Sequence, residues 1–178
     1  MFLSVFPAQV RYRFWVPPWL SPLPPPLPGL DVTTLSGTWR ILATTLPFWR
    51  GRREVTVTYR TRPDGDWDDL LAFTRRGRRK TLGGRDTPHA DRPGFFTWRG
   101  LGWLGWCRST WGFVRVGPEL SWAVTWFSRA TLGVTPEGMD VYARDLLSRE
   151  ALDRIIADVT AEPGLPQTGP WYVIDEDA

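Results

Sequence analysis

The sequence predicts an all-β chain of about eight antiparallel strands closing into an up-and-down barrel, with one C-terminal amphipathic α-helix packed on its outside. Three observations carry this. Apolar and polar residues alternate with period two over most of residues 38–145, as in Val55, Val57 and Tyr59 against Thr56 and Thr58. Turn chemistry recurs between the alternating runs: Pro63-Asp64-Gly65, Arg76-Gly77, Gly117-Pro118 and Pro136-Glu137-Gly138. One segment changes period, since Leu152, Ile155, Ile156 and Val159 fall at i, i+3, i+4 and i+7.

The elements follow in order. Residues 1–33 read as a Pro-rich leader, because Pro17-Pro18 and Pro24-Pro25-Pro26 lack the N–H groups that a helix or central strand needs. Such a stretch is extended or polyproline II, either a linker or a docking ligand. Residues 38–45 form the first strand, and a long loop carrying Arg50, Arg52 and Arg53 leads to a second over 54–60. The turn around Asp64-Gly65 returns the chain as a hairpin over 67–75, and Arg76-Gly77-Arg78-Arg79 makes a tight connection into 80–84. A longer loop is expected over 85–94, where Pro88 and Pro93 fall. Further strands are expected over 95–100, 106–116, 120–129 and 139–145. Ser148 can then cap the helix through its hydroxyl, with Glu150 in the first turn. The barrel and helix span residues 34–160, and residues 161–178 form an irregular acidic tail. Within that tail Trp171-Tyr172-Val173-Ile174 is apolar enough to adhere to the body or to a partner.

With 178 residues the chain has the length of one domain with a full core. It contains 12 Trp, whose large rings and single N–H donors suit barrel walls and pockets with a wet end. The lone Cys107 excludes an intrachain disulfide. Residues 1–7 have no basic start and break at Pro7, and no apolar run reaches the ~18 residues of a membrane span. A soluble, cytoplasmic protein is therefore expected. The net charge of +3 and a pI near 9.5 are mild, and no nucleic-acid partner is expected. Nothing in the sequence sets an oligomeric state.

Gly37-Thr38-Trp39 heads the first strand, Arg144 closes the last, and the helix follows from Ser148. In this order the chain resembles the lipocalins and the wider calycin group, over roughly residues 35–159. The stretch Ser121-Trp122-Ala123-Val124-Thr125 is similar to the penultimate strand of bacterial lipocalins. The family's middle motif is not intact, the corresponding region reading Trp111-Gly112-Phe113-Val114-Arg115-Val116-Gly117-Pro118, so the resemblance is to a divergent member. It implies that the Arg144 guanidinium packs over Trp39, a contact worth ~0.5–2 kcal/mol. It also implies a barrel interior that holds a small hydrophobic ligand such as a fatty acid, lipid or isoprenoid. Gly37, Trp39 and Arg144 are then structural signature residues.

On strand 120–129 the period places Trp122, Val124 and Trp126 on one face and Ala123, Thr125, Phe127 and Arg129 on the other. The lipocalin analogy turns the second set inward and puts the Trp set beneath the helix. Ile41 shares a face with Trp39, Phe96 with Trp98, Trp111 with Phe113, and Tyr142 with Asp140 and Arg144. The expected ligand-binding residues are therefore Ile41, Phe96, Trp98, Trp111, Thr125, Phe127, Arg129 and Tyr142. Large aromatics could instead fill the barrel.

Other chemistry has less support. His89, the only histidine, lies in a Pro-bounded loop and would have to reach iron in a haem-binding barrel. One His and one Cys cannot build the usual four-ligand zinc site, so no metal and no cofactor is expected. Cys107 reads as a small buried hydrophobe, and as a nucleophile only with a lowered pKa. Asp68 and Asp69 alternate across a strand, so only one of them can face the interior. A barrel enzyme acting on a lipid or isoprenoid through Cys107, Tyr142 or an interior acid is the alternative to binding. The runs Arg50-Gly51-Arg52-Arg53 and Arg75-Arg76-Gly77-Arg78-Arg79-Lys80 read as solvated loop tips. If both rim one opening they favour an anionic head group, with weak contact to an anionic membrane surface.

Overall fold

The computed structural model describes residues 23–174. The greater part of the predicted leader and the last four residues lie outside the described residues. Eight strands form the barrel: β1 (Gly37–Thr44), β2 (Arg53–Thr61), β3 (Trp67–Arg75), β4 (Arg78–Pro88), β5 (Phe95–Gly100), β6 (Arg108–Val116), β7 (Trp122–Phe127) and β8 (Gly138–Ala143). Each pairs antiparallel with the next, and β1 pairs with both β8 and β2, which closes the sheet in up-and-down order. One helix, α1 (Arg149–Ala161), packs outside the barrel. A ninth short strand, β9 (Tyr172–Val173), joins β1 at Thr44 and Ala43, beyond the Gly37-to-Arg40 stretch that β2 covers. Ile174 follows it into the core, its N–H donating to Leu42 O at 2.8 Å. Among the described residues no helix is long and apolar enough to cross a membrane.

Period-two alternation separates two apolar layers. The inner layer is aromatic-rich, with Trp39, Tyr59, Trp67, Phe96, Trp111 and Phe113 all buried. The outer layer joins Val124, Trp126, Met139 and Val141 to the helix stripe Leu152, Ile155 and Val159. On β7, Ala123 lies in the inner layer and Val124 and Trp126 lie in the outer one, the alternation expected of that strand. Ser148 caps α1, its hydroxyl accepting from Ala151 N at 3.2 Å. Residues just before β1 also pack on the barrel, with Leu27, Leu30 and Val32 against the inner layer and Leu35 fully buried.

The signature residues meet at the end where β1 begins. The Arg144 guanidinium lies 3.6 Å from the Trp39 ring centroid. It donates to the carbonyls of Thr38, Thr34 and Ser36 at 3.1, 3.2 and 2.9 Å, and Trp39 Nε1 donates to Leu35 O at 2.8 Å. The cation thus satisfies backbone acceptors left over where the sheet closes. Gly37 sits at φ +99°, and a Cβ there would lie 3.1 Å from Arg144 Nη1. Gly37→Ala is therefore expected to cost about 1–3 kcal/mol in urea unfolding, from the left-handed backbone together with displacement of Arg144.

Among the boundaries that differ from the sequence reading, three bear on the site. β4 runs on to Pro88, through the expected loop, because Asp86 pairs with Trp67 on one side and Trp98 on the other. Pairing on both flanks overrides the turn-like composition, and Pro88 sits at the last position, where its missing N–H costs little. β6 starts at Arg108 because residues 102–104 form a 3-10 turn. β7 ends at Phe127, so Arg129 lies past the ladder and is exposed.

Candidate functional site

All connections after odd-numbered strands emerge at one end of an up-and-down barrel, and those after even-numbered strands at the other. The even end is filled: Trp67 and Phe96 pack 4.9 Å apart, Phe96 and Trp111 at 4.8 Å, and Trp39 and Phe113 at 6.2 Å. Toward the odd end the interior opens into a cavity of about 230 Å³. Its walls are Leu71, Leu82, Trp98, Phe127 and the Trp111 ring. The β1–β2 loop covers it with Leu46, Phe48 and Trp49, the β5–β6 loop with Trp103, Leu104 and Cys107, and the β7–β8 loop with Ala130 and Val134.

The polar groups of the cavity are few and buried. Asp140 accepts from Thr44 Oγ1 at 2.5 Å and from Trp49 Nε1 at 3.1 Å, which ties the covering loop to the barrel. Burial still pushes its carboxyl up to about 7. Tyr59 and Tyr142 meet at 3.4 Å between hydroxyls, and burial raises both phenols. Asp69 bonds to the Trp98 indole, but its Oδ1 has no hydrogen-bond partner. Just below, Asp86 accepts from Trp111 Nε1 at 2.7 Å and leaves its Oδ2 without a partner. Burial raises both carboxyls, and Asp69 on the neighbouring strand further disfavours ionisation of Asp86. These acids are therefore held largely neutral at moderately acid pH, able to donate as well as accept.

Of the residues expected to bind ligand, Trp98, Trp111, Phe127 and Tyr142 line the cavity. Ile41 and Phe96 are buried in the packed interior and do not border it. Thr125 is buried facing inward, with its hydroxyl 3.5 Å from Asp140 O, and it too is off the cavity. Arg129 stands outside, as the end of β7 dictates. His89 lies on the loop at the filled end with Nε2 2.8 Å from Thr97 Oγ1, so it does not face the cavity and cannot serve haem there. Cys107 does line the cavity, and burial pushes its thiol up, opposite to what a nucleophile needs.

Sequence reading let one of Asp68 and Asp69 face the interior and put Asp140 on the face of Tyr142, but it missed Asp86 and the burial of all three acids. Asp68 and Asp69 alternate as expected, Asp68 pairing with Arg62 at 3.0 Å while Asp69 turns in. The partners of Asp69 come from β4 and β5, and no spacing in the chain announces them. Among the described residues no group of His, Cys, Asp and Glu could hold a metal ion. In comparison with known proteins, the chain matches no protein-family model, and no curated protein shows significant similarity to it.

Proposed function

We propose that this chain is a divergent lipocalin-like binding protein that holds one compact, largely apolar molecule in the open half of its barrel. The observation that carries the reading is the unpartnered Oδ1 of Asp69, buried at the edge of an otherwise apolar cavity. A buried acceptor without a partner costs about 1–3 kcal/mol, which a ligand hydroxyl or amine recovers on binding. The volume is below the ~300–1,000 Å³ of sites for drug-sized molecules, which favours a short isoprenoid or similar compact ligand over a long-chain lipid. Apolar contact supplies the bulk of affinity, at roughly 25 cal/mol per Å² buried, and Asp69 supplies orientation.

The test is titration with a monoterpene alcohol and with its matching hydrocarbon, followed by quenching of Trp fluorescence. The wild type should prefer the alcohol. Asp69→Leu should weaken alcohol binding about tenfold or more while leaving the hydrocarbon equal or tighter. Equal effects on both compounds, or no quenching by either, would sink the reading.

One observation favours a second reading, catalysis on the same class of ligand. Asp140 borders the cavity with its carboxyl near 7, where a general acid or base works best at neutral pH. Conversion of the alcohol to a new product, lost in Asp140→Asn, would replace binding by catalysis.

A further inference from the structure

The open end of the barrel presents two surfaces to solvent, one apolar and one basic, and the apolar one shares Trp103 and Val134 with the cavity cover. On the β5–β6 and β7–β8 loops large apolar side chains point into solvent: Trp103 is 80% exposed and Leu132 89%, with Leu101, Trp106 and Val134 around them. The two loops are tied together, Thr131 Oγ1 accepting from Arg108 N at 3.0 Å and donating to Arg108 O at 3.1 Å. Leu132 occupies the tip of its turn at φ +56°, a left-handed position that β-carbon residues pay for and Gly or Asn would fill without strain. An exposed leucine there serves neither core nor turn.

The second surface is basic. Arg75, Arg76, Arg78 and Lys80, at the β3–β4 tip, make no ion pair among the described residues. Arg52 of the β1–β2 loop reaches this tip, its guanidinium stacking 3.9 Å from Phe48 and 5.0 Å from Phe73, two residues before Arg75 on β3. Both Arg clusters therefore rim one opening. At the opposite end the charges are balanced instead, Asp64, Asp66 and Asp68 around the β2–β3 turn pairing with Arg62 and with Arg85 of β4. A net charge of only +3 conceals a molecule polarised along the barrel axis.

We propose that the open end is a docking surface for an anionic lipid bilayer, with Trp103 and Leu132 entering the interface and the Arg75–Lys80 tip binding anionic headgroups. Exposed Trp beside aliphatic tips is the composition of a membrane–water interface, and clustered Arg and Lys supply attraction to acidic lipid. A second copy of the chain facing mouth to mouth would set like charges together. A nucleic acid would use the arginines and could stack on Trp103, but it offers nothing to Leu132. The docking does not depend on what the cavity holds.

Co-sedimentation of the full chain with vesicles tests it. Vesicles of phosphatidylcholine mixed with phosphatidylserine should bind about tenfold or more tightly than phosphatidylcholine alone, with binding weakened by salt. The double variant Trp103→Ser, Leu132→Ser and the double variant Arg76→Glu, Arg78→Glu should each weaken binding to mixed vesicles about tenfold or more, with the near-UV circular dichroism of the fold retained. Four results overturn the proposal: no sedimentation with mixed vesicles, equal binding to both vesicle types, mixed-vesicle binding unmoved by the Trp103 and Leu132 changes, or tighter retention on single-stranded DNA than on vesicles. Self-association abolished by those same two serines, without vesicle binding, would reassign the patch to contact between copies.

Discussion

Trp111→Ala is expected to lower unfolding free energy by about 3–5 kcal/mol, enough to threaten folding in a domain whose total stability is of the order of 5–15 kcal/mol. The ring is the hub of the interior. It stacks on Tyr59 at 5.2 Å and on Phe96 at 4.8 Å, and it touches Phe113 at 5.4 Å and Phe127 at 5.9 Å. Truncation removes these contacts and also the indole donor to Asp86, leaving a buried carboxyl with no partner on either oxygen. Two further variants divide these causes. Trp111→Phe keeps most of the packing and loses the donor, for about 1–3 kcal/mol. Adding Asp86→Leu removes the stranded acceptor and should recover most of that loss. If the double variant is less stable than Trp111→Phe alone, Asp86 contributes something beyond accepting this hydrogen bond.

Raising pH from 5 to 8 is expected to destabilise the fold by about 3 kcal/mol through Asp140 alone. Its carboxyl moves from 3.8 to about 7 on folding, because the interior disfavours the charged form more than Thr44 and Trp49 favour it. Between those values the folded chain keeps a proton that the unfolded chain releases. Stability contributed by that proton is full below pH 3.8, falls by about 1.4 kcal/mol per pH unit as pH rises, and levels off above 7. Burial pushes Asp69 and Asp86 in the same direction, so the total fall exceeds that of Asp140. Surface acids held low, such as Asp64, which accepts from Asp66 N and lies beside Arg85 and Arg62, act in the opposite sense but at more acid pH. Urea unfolding at the two pH values measures the difference, and Asp140→Asn should shrink it by about 3 kcal/mol while keeping an acceptor for Trp49, leaving the part due to Asp69 and Asp86. Stability that is level or rising over this range would show that the carboxyl is ionised in the folded protein.

Much of the fold is written locally. Alternation along 54–60 places Val55, Val57 and Tyr59 inside, turn chemistry sets the hairpin between β2 and β3, and the i, i+3, i+4, i+7 stripe after Ser148 makes the outer helix. Trp39, Gly37 and Arg144 could be paired from sequence only by family resemblance, since Thr38 and Arg144 stand 106 positions apart. Within the site, Trp98, Trp111, Phe127 and Tyr142 were readable because inward aromatics on a two-residue period must line or fill a barrel. Arg129 was assigned to that face by extending the period past the last hydrogen-bonded residue, where alternation stops applying.

Which half of the barrel is hollow was not readable. Trp67, Phe96 and Trp111 look alike in sequence whether they pack one another or surround a space, and the outcome depends on shear and stagger between strands. The acid cluster has the same origin: Asp69, Asp86 and Asp140 lie on three strands, and Asp86 sat in a segment whose Pro and Asp content reads as loop. The mouth likewise combines loops far apart in the chain, so two separate Arg runs and two apolar turns become a single rim. Local chemistry along this chain specifies strands, turns, helix and inward faces, because those depend on neighbours within a few residues. Cavity, buried carboxyls and polarised open end arise only when the sheet closes, because closure alone determines which side chains share a low-dielectric space.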